Sequence, residues 1–269
     1  MQQDAQLDEL ADEHRQWLGQ FADQHSQNWE KLYRADYEAA MAEASTRRML
    51  QRHKVRVEPN GESTPDGFAP DFLCTVEENQ FIVEVTCVSI ATAQQKTGVE
   101  SEACGFLTIS ATGMIEAIFN KVKTKAAQCG GLKLPALVAV GTFHYHGARY
   151  SVRKPWVNMV LAGKTSMTWN LDTHTGLQVG ETYNSTRLEA AAFLRPRGDS
   201  GAGIARSSIS GLLICDFCAL SARAIGVLHP TPARGFDPSL LPGIEFGIVD
   251  SNSSNGELDV KWPTATDAS

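Results

Sequence analysis

A mixed α/β fold, with a mixed β-sheet core flanked by helices, is the class the sequence predicts, and three observations carry it. Residues 72–76 and 81–88 are dense in apolar and β-branched side chains, with Glu77-Glu78-Asn79 between them as a turn. Residues 135–143, PALVAVGTF, make a continuous apolar run bounded by turn residues, the pattern of a strand buried on both faces. Between these strands, residues 109–128 carry helical spacing and are broken off by Gly130-Gly131.

Taken in order, residues 5–24 read as an amphipathic helix, with Leu7, Leu10, Ala11, Trp17, Leu18 and Phe21 near one face. Its apolar face either packs on the core or docks a partner protein or a second copy in a homodimer. One longer helix is expected over 28–53, then a short strand at 55–57 and a loop over 59–70, rich in Gly, Pro, Asp and Ser. The hairpin of 72–88, the helix of 109–128 and the central strand follow. Residues 145–207 hold many Gly, Thr, Ser and Arg with little period and read as an insertion of short elements. Two further strands of the main sheet are expected at 208–215 and 224–228. The organisation expected is an N-terminal helix (1–27), one domain (28–249, its core 28–143 and 208–240) and a polar, frayed tail (250–269).

Composition narrows the function classes. Of the 269 residues, 42 % are hydrophobic and 20 % charged, which excludes a disordered chain. No run approaches the roughly 18 apolar residues of a membrane span, so no membrane association is expected. The acidic, polar start lacks the basic-then-apolar order of a secretory signal and points to the cytoplasm. Six scattered cysteines read as packed thiols rather than a disulfide framework. The net charge of −7 is no signature of nucleic-acid binding, yet much of the acid lies at the two ends of the chain. Basic clusters stand between: Arg47, Arg48, Arg52, Lys54 and Arg56, then Lys121, Lys123, Lys125 and Lys133.

The chemistry concentrates on the hairpin. With its turn centred on Glu78-Asn79, Asp71 falls opposite Thr86, and Glu84 lies diagonally beside it. Glu84 is flanked by Ile82, Val83, Val85 and Val88, a setting in which a bare charge is costly. Two carboxylates so close repel unless a cation sits between them. With the backbone carbonyl of Val85 they make a hard oxygen site suited to Mg²⁺. The alternative is a Glu84 at the sheet rim, paired with an Arg or Lys.

The order of these elements, with Pro70-Asp71 and Glu84-Val85-Thr86 on neighbouring strands, resembles the PD-(D/E)XK, or restriction-endonuclease-like, nuclease superfamily. Glu43 on the first long helix matches that family's helical acidic residue. Pro70-Asp71 matches its PD element, and Glu84-Val85-Thr86 its (D/E)XK, with threonine in place of lysine. Ile118-x-x-Lys121-x-x-x-Lys125-x-x-Gln128, Pro135-Ala136-Leu137-Val138 and Leu228-His229-Pro230-x-x-Ala233 resemble segments of many members. The likeness covers about residues 30–143, and 208–240 more loosely.

The resemblance implies a restriction-endonuclease-like core and Mg²⁺-dependent (or Mn²⁺-dependent) hydrolysis of DNA phosphodiester bonds. Glu43, Asp71, Glu84 and the Val85 carbonyl would hold metal. Because Thr86 carries no charge, the missing ammonium would come from Lys125, or else Lys121, one turn away on the next helix. Gln128 lies on the same face, since the three stand at i, i+4 and i+7, and would contact phosphate or order the site. The rival implication is a nuclease-fold protein that lost catalysis and binds DNA or a protein partner.

Other signals carry less. Gly163-Lys164-Thr165 lacks the earlier glycine of a phosphate loop, and Gly201-x-Gly203 lacks its third. Cys215 and Cys218 have zinc-ligand spacing but no second pair, so packed thiols are expected. His144 and His146, at the exit of the central strand and on one face of it, are expected as a surface strand end, with metal ligands or phosphate donors as the alternative.

Overall fold

The structure is a computed structural model, and it describes residues 2–60, 69–104, 111–162, 164–171, 174–175, 178–187, 191–196, 202–218, 222–250 and 259–262. Most of the expected 59–70 loop, the first two residues of the expected 109–128 helix and most of the tail lie outside them. The main sheet has eight strands in the order β1-β2-β3-β4-β9-β10-β11-β12. β1 (Arg56–Pro59), β2 (Phe72–Val76) and β3 (Asn79–Cys87) form an antiparallel meander. β4 (Ala136–Thr142) then runs parallel to both β3 and β9 (Gly211–Asp216). β10 (Arg223–Leu228) returns antiparallel to β9. The sheet is therefore mixed and flanked by helices, as the sequence predicts.

Both faces are covered. On one, α1 (Gln2–Leu18), α2 (Asp23–Ala35) and α3 (Tyr37–Arg52) bury Leu10, Trp17, Met41 and Leu50 against Phe81, Val83 and Val85. On the other, α5 (Ala111–Gln128) sets Met114, Ile118, Val122 and Ala126, spaced by four, on Ile82, Val138 and Val140. Every residue of β4 is buried, which explains its unbroken apolar sequence.

Three boundaries differ from the sequence reading. The helix expected over 28–53 is two helices, because Asp36 leaves helical geometry (φ −146°, ψ 85°) and its side chain accepts from the Ala39 N–H at 3.0 Å. The apolar period runs through that break, which hid it. The expected 1–27 helix likewise divides, at residues 19–22, into α1 and the start of α2. Its apolar face is not free for a partner: Leu10, Ala11, Trp17 and Leu18 lie in the chain's own core. An unforeseen α4 (Ile90–Thr97) begins at an N-cap Ser89 and ends at Gly98 with φ +74°.

The C-terminal tail is also corrected in part. β11 (Phe246–Asp250) joins the sheet parallel to β10, and Asp259–Lys261 of the expected tail pairs with it as β12. Trp262 fixes this edge by donating to Asn158 Oδ1 at 3.1 Å. The 145–207 insertion holds α6 (Tyr145–Ser151), α7 (Lys154–Ala162) and two hairpins outside the main sheet, β5 (Lys164–Leu171) with β6 (Gln178–Arg187) and β7 (Leu194–Pro196) with β8 (Ala202–Ile204). Among the described residues no helix is long and apolar enough to cross a membrane.

Candidate active site

The hairpin turn is tighter than the sequence reading placed it. Val76 pairs with Asn79 and Phe72 with Val83, leaving Glu77 and Glu78 alone between the strands. Glu77 takes φ +53°, the positive value such two-residue turns require. Continuing this register puts Asp71 directly across from Glu84, not Thr86.

The β2–β3 pairing ends at Phe72 and Val83, and Pro70 has no N–H to give the next carbonyl across, that of Val85. The Val85 amide goes to the Asp71 carboxylate: Val85 N–H donates to Asp71 Oδ2 at 2.7 Å. In return the Asp71 N–H donates to Glu84 Oε2 at 3.2 Å. A strand residue's N–H and C=O leave on the same edge, so the Val85 carbonyl also faces the Asp71 side of β3.

Glu84 is 1 % exposed and shares the α5 face of the sheet with Ile82 and Thr86. Lys125, on the last turn and a half of α5, reaches down and ion-pairs with Glu84 Oε1. The paired reading of Glu84 and the choice of Lys125 as the cation of this site thus coincide in one contact. Lys121, one turn earlier, is exposed and acts electrostatically on Glu38 and Cys87 instead. Gln128 is exposed at the end of α5. Thr86 is buried beneath the helix.

Glu43, half-buried on α3, completes the charged group from the opposite layer. Burial first, then the Asp71 and Glu84 carboxylates, hold its carboxyl well above the usual range. Burial also raises Asp71, against the pull of Lys125 and the Val85 N–H. Glu84 is pushed up to about 8 by burial and by Asp71, with Lys125 opposing. Burial disfavours the Lys125 charge, but Glu84 and Asp71 outweigh it and its pKa rises. Three carboxyl groups therefore face one ammonium, and both burial and their mutual repulsion disfavour the ionised forms while no cation is bound.

Among the described residues no three His, Cys, Asp or Glu side chains converge as a group able to hold a metal. Mg²⁺ does not need an all-protein cage: it commonly takes one or two carboxylates and keeps its waters or substrate oxygens. Asp71, Glu84 and the Val85 carbonyl are hard oxygen donors of that kind, and their surplus negative charge suits a divalent cation.

The remaining candidates are structural. His144 is fully buried, caps α6 through Nδ1 to the Gly147 N–H at 2.9 Å, and bonds the Val99 carbonyl through Nε2 at 2.9 Å. His146 Nε2 bonds the Ala103 carbonyl at 2.8 Å. Cys215 is a buried free thiol, and Cys218 Sγ donates to the Phe143 carbonyl at 2.9 Å. Of the first basic cluster, Arg47 is buried beneath Trp17 and Arg48 pairs with Glu13 at 2.7 Å, so both turn toward α1 rather than outward.

The sequence reading missed a cavity of about 200 Å³ that opens beside the carboxylates, with Glu43 and Asp71 in its wall. His14, Asn28, Trp29 and Asn60 also line it. With Glu43 and Asp71 they come from five separate stretches of chain, and no spacing motif joins them. No protein-family model matches the chain, and no curated protein matches its sequence.

Proposed function

We propose that the protein is a Mg²⁺-dependent nuclease with a restriction-endonuclease-like core, hydrolysing phosphodiester bonds in DNA. The observation that carries this reading is the juxtaposition of Asp71 and Glu84 across the β2–β3 hairpin with Lys125 from α5 on Glu84. Helix α3, the β1–β3 meander, α5 and β4 stand in the order on which the sequence resemblance rests, with α4 added between β3 and α5.

Mg²⁺, when bound, would lower the pKa of an attacking water and offset charge on the phosphate. Asp71 and Glu84 would hold it, with the Val85 carbonyl on the same edge. Glu43 adds negative charge from α3. Lys125 supplies the ammonium that Thr86 lacks; once its pairing with Glu84 loosens, Nζ is free to donate to a phosphate oxygen. The cytoplasm is the compartment that fits a chain whose described cysteines are all free thiols.

A second reading is favoured by the same ion pair. With Thr86 in the lysine position and Lys125 already neutralising Glu84, the protein can hold a nuclease fold without turnover and act as a DNA-binding or protein-interaction module. Cleavage of supercoiled plasmid in Mg²⁺, Mn²⁺ or EDTA, beside Glu84→Ala, separates the two. Metal-dependent nicking that Glu84→Ala abolishes supports the nuclease. DNA binding without nicking by the folded parent supports the module.

A further inference from the structure

The cavity beside Asp71 has a chemistry of its own. One wall is apolar and rigid. Trp29 is 4 % exposed, donates from Nε1 to the Ala40 carbonyl at 3.3 Å, and its ring is packed by Tyr33 at 5.1 Å, His14 at 4.9 Å and the Arg15 guanidinium at 5.3 Å. Leu18, Leu32 and Phe72 extend that wall. A second wall is polar: the amides of Asn28 and Asn60 and the imidazoles of His14 and His25.

His14 is the most informative of these. It is 1 % exposed, and its Nδ1 has no hydrogen-bond partner. A buried polar atom left unpaired calls for a water or ligand partner. Burial, then Arg47 and Arg15, hold its pKa down to about 3, so the ring is uncharged at neutral pH.

The third wall is Glu43 and Asp71, and no Lys or Arg is among the described residues lining the space. A phosphate deep in this space would meet carboxylates with no lysine or arginine to balance it, so the interior suits an uncharged group better. At about 30 Å³ for each water, it exchanges roughly seven waters for its occupant. That is room for one flat heterocycle and too little for a base pair. A neutral, planar group with a hydrogen-bonding edge and two apolar faces fits all three walls.

We propose that this cavity is a subsite for one unpaired nucleobase of the strand whose phosphate lies at Asp71 and Glu84. It rests on the nuclease reading and adds a substrate class to it: single strands, or duplexes with a mismatched or extruded base. A base turned out of its stack loses its pairing and neighbours, and a pocket offering apolar and edge contacts offsets that cost most readily where pairing is already absent. The segment from α1 to α2 then acts as the substrate-selecting wall, since His14, Leu18, Asn28 and Trp29 all come from it.

The test uses the full chain with Ca²⁺ in place of Mg²⁺, which keeps a divalent charge at Asp71 and Glu84 for the strand's phosphate. A fluorescent aminopurine is placed at each position in turn of a single-stranded oligonucleotide, of a mismatched duplex and of a fully paired duplex. Binding is followed separately by anisotropy. The expected result is a changed base signal at one position in the first two substrates and not in the third. Asn28→Trp, which fills the mouth from an exposed position, should remove that signal and weaken single-strand binding roughly tenfold.

Binding with no change of base signal at any position overturns the subsite, as does an Asn28→Trp chain that behaves like the parent. Absence of any oligonucleotide binding overturns it too. The plasmid assay in Mg²⁺, run alongside, then tells whether the nuclease reading falls with it.

Discussion

Lys125 Nζ donates to Glu84 Oε1 across 41 residues of sequence, tying the end of α5 to the middle of β3. Glu84 is almost wholly buried, whereas the Lys125 side chain keeps a quarter of its surface in water. The pair is therefore asymmetric: the lysine can swing toward solvent, and the carboxylate cannot follow. Such a cation is suited to leave when a divalent metal arrives and to remain near enough for a phosphate.

Replacing Lys125 by Met keeps most of the packing and removes the charge. Cleavage should fall by about 10²- to 10³-fold, the usual cost of one transition-state donor. The fold should survive, because Glu84 can take up a proton instead of standing as an unpaired buried charge. Plasmid nicking and circular dichroism on the same preparation check both halves. Full activity in Lys125→Met would remove this residue from the site.

Asp71 has two separable tasks. Its Oδ2 satisfies the Val85 amide that the end of β2 leaves open, and its charge contributes to the metal site. Asp71→Ala loses both, with about 1–3 kcal/mol of stability for the unsatisfied buried N–H. Asp71→Asn keeps an acceptor for that amide and should hold the parent's melting temperature. Metal binding by calorimetry should fail in both variants. Equal destabilisation by Ala and Asn would show that the hydrogen bond contributes little.

The elevated Glu84 carboxyl makes stability depend on pH in a direction opposite to that of an ordinary salt-bridged acid. Its folded pKa, about 8, lies above the unfolded value near 4.5. The folded state thus holds the extra proton between those limits, and the stability it contributes is complete below about 4.5 and lost as pH rises through about 8. The metal-free protein should melt at a lower temperature at pH 8.5 than at pH 6, as far as this group governs it. Mg²⁺ needs the ionised form, so the rise in melting temperature on adding it should be larger at pH 8.5. A metal effect confined to pH 6 would contradict a site built on Glu84.

Much of this architecture was legible because it depends on local pattern. The continuous apolar run of β4 reports burial on both faces, and the hairpin pattern sets Asp71 and Glu84 on neighbouring strands, whereas Lys125 was singled out by what the family resemblance implies. The register was not legible. Glu77-Glu78-Asn79 offers no glycine to mark the turn, and moving the turn by one residue exchanges Thr86 for Glu84 as the partner of Asp71. The break at Asp36 was hidden because Tyr33, Tyr37 and Met41 keep helical spacing across it. The cavity was beyond reach for a different reason. His14, Trp29, Asn60 and Asp71 meet only after three helices have folded over the hairpin, and sequence spacing holds no trace of that closure.

The burial of α1 leads to a last expectation. Trp17 is 7 % exposed, meets Phe72 of β2 edge-on with ring centroids 6.0 Å apart, and lies beneath the Arg47 guanidinium. A helix that only docked a partner could be removed without harm to the rest. This one covers the strand that carries Asp71 into place, so Trp17→Ala should cost about 3–5 kcal/mol. Removing residues 1–22 should expose the sheet face and give an aggregating chain. Denaturant unfolding of Trp17→Ala and light scattering of the truncated chain are the measurements. A truncated chain that stays monomeric with the parent's melting temperature would return α1 to the role of a partner-docking arm, and the wall that holds His14 would go with it.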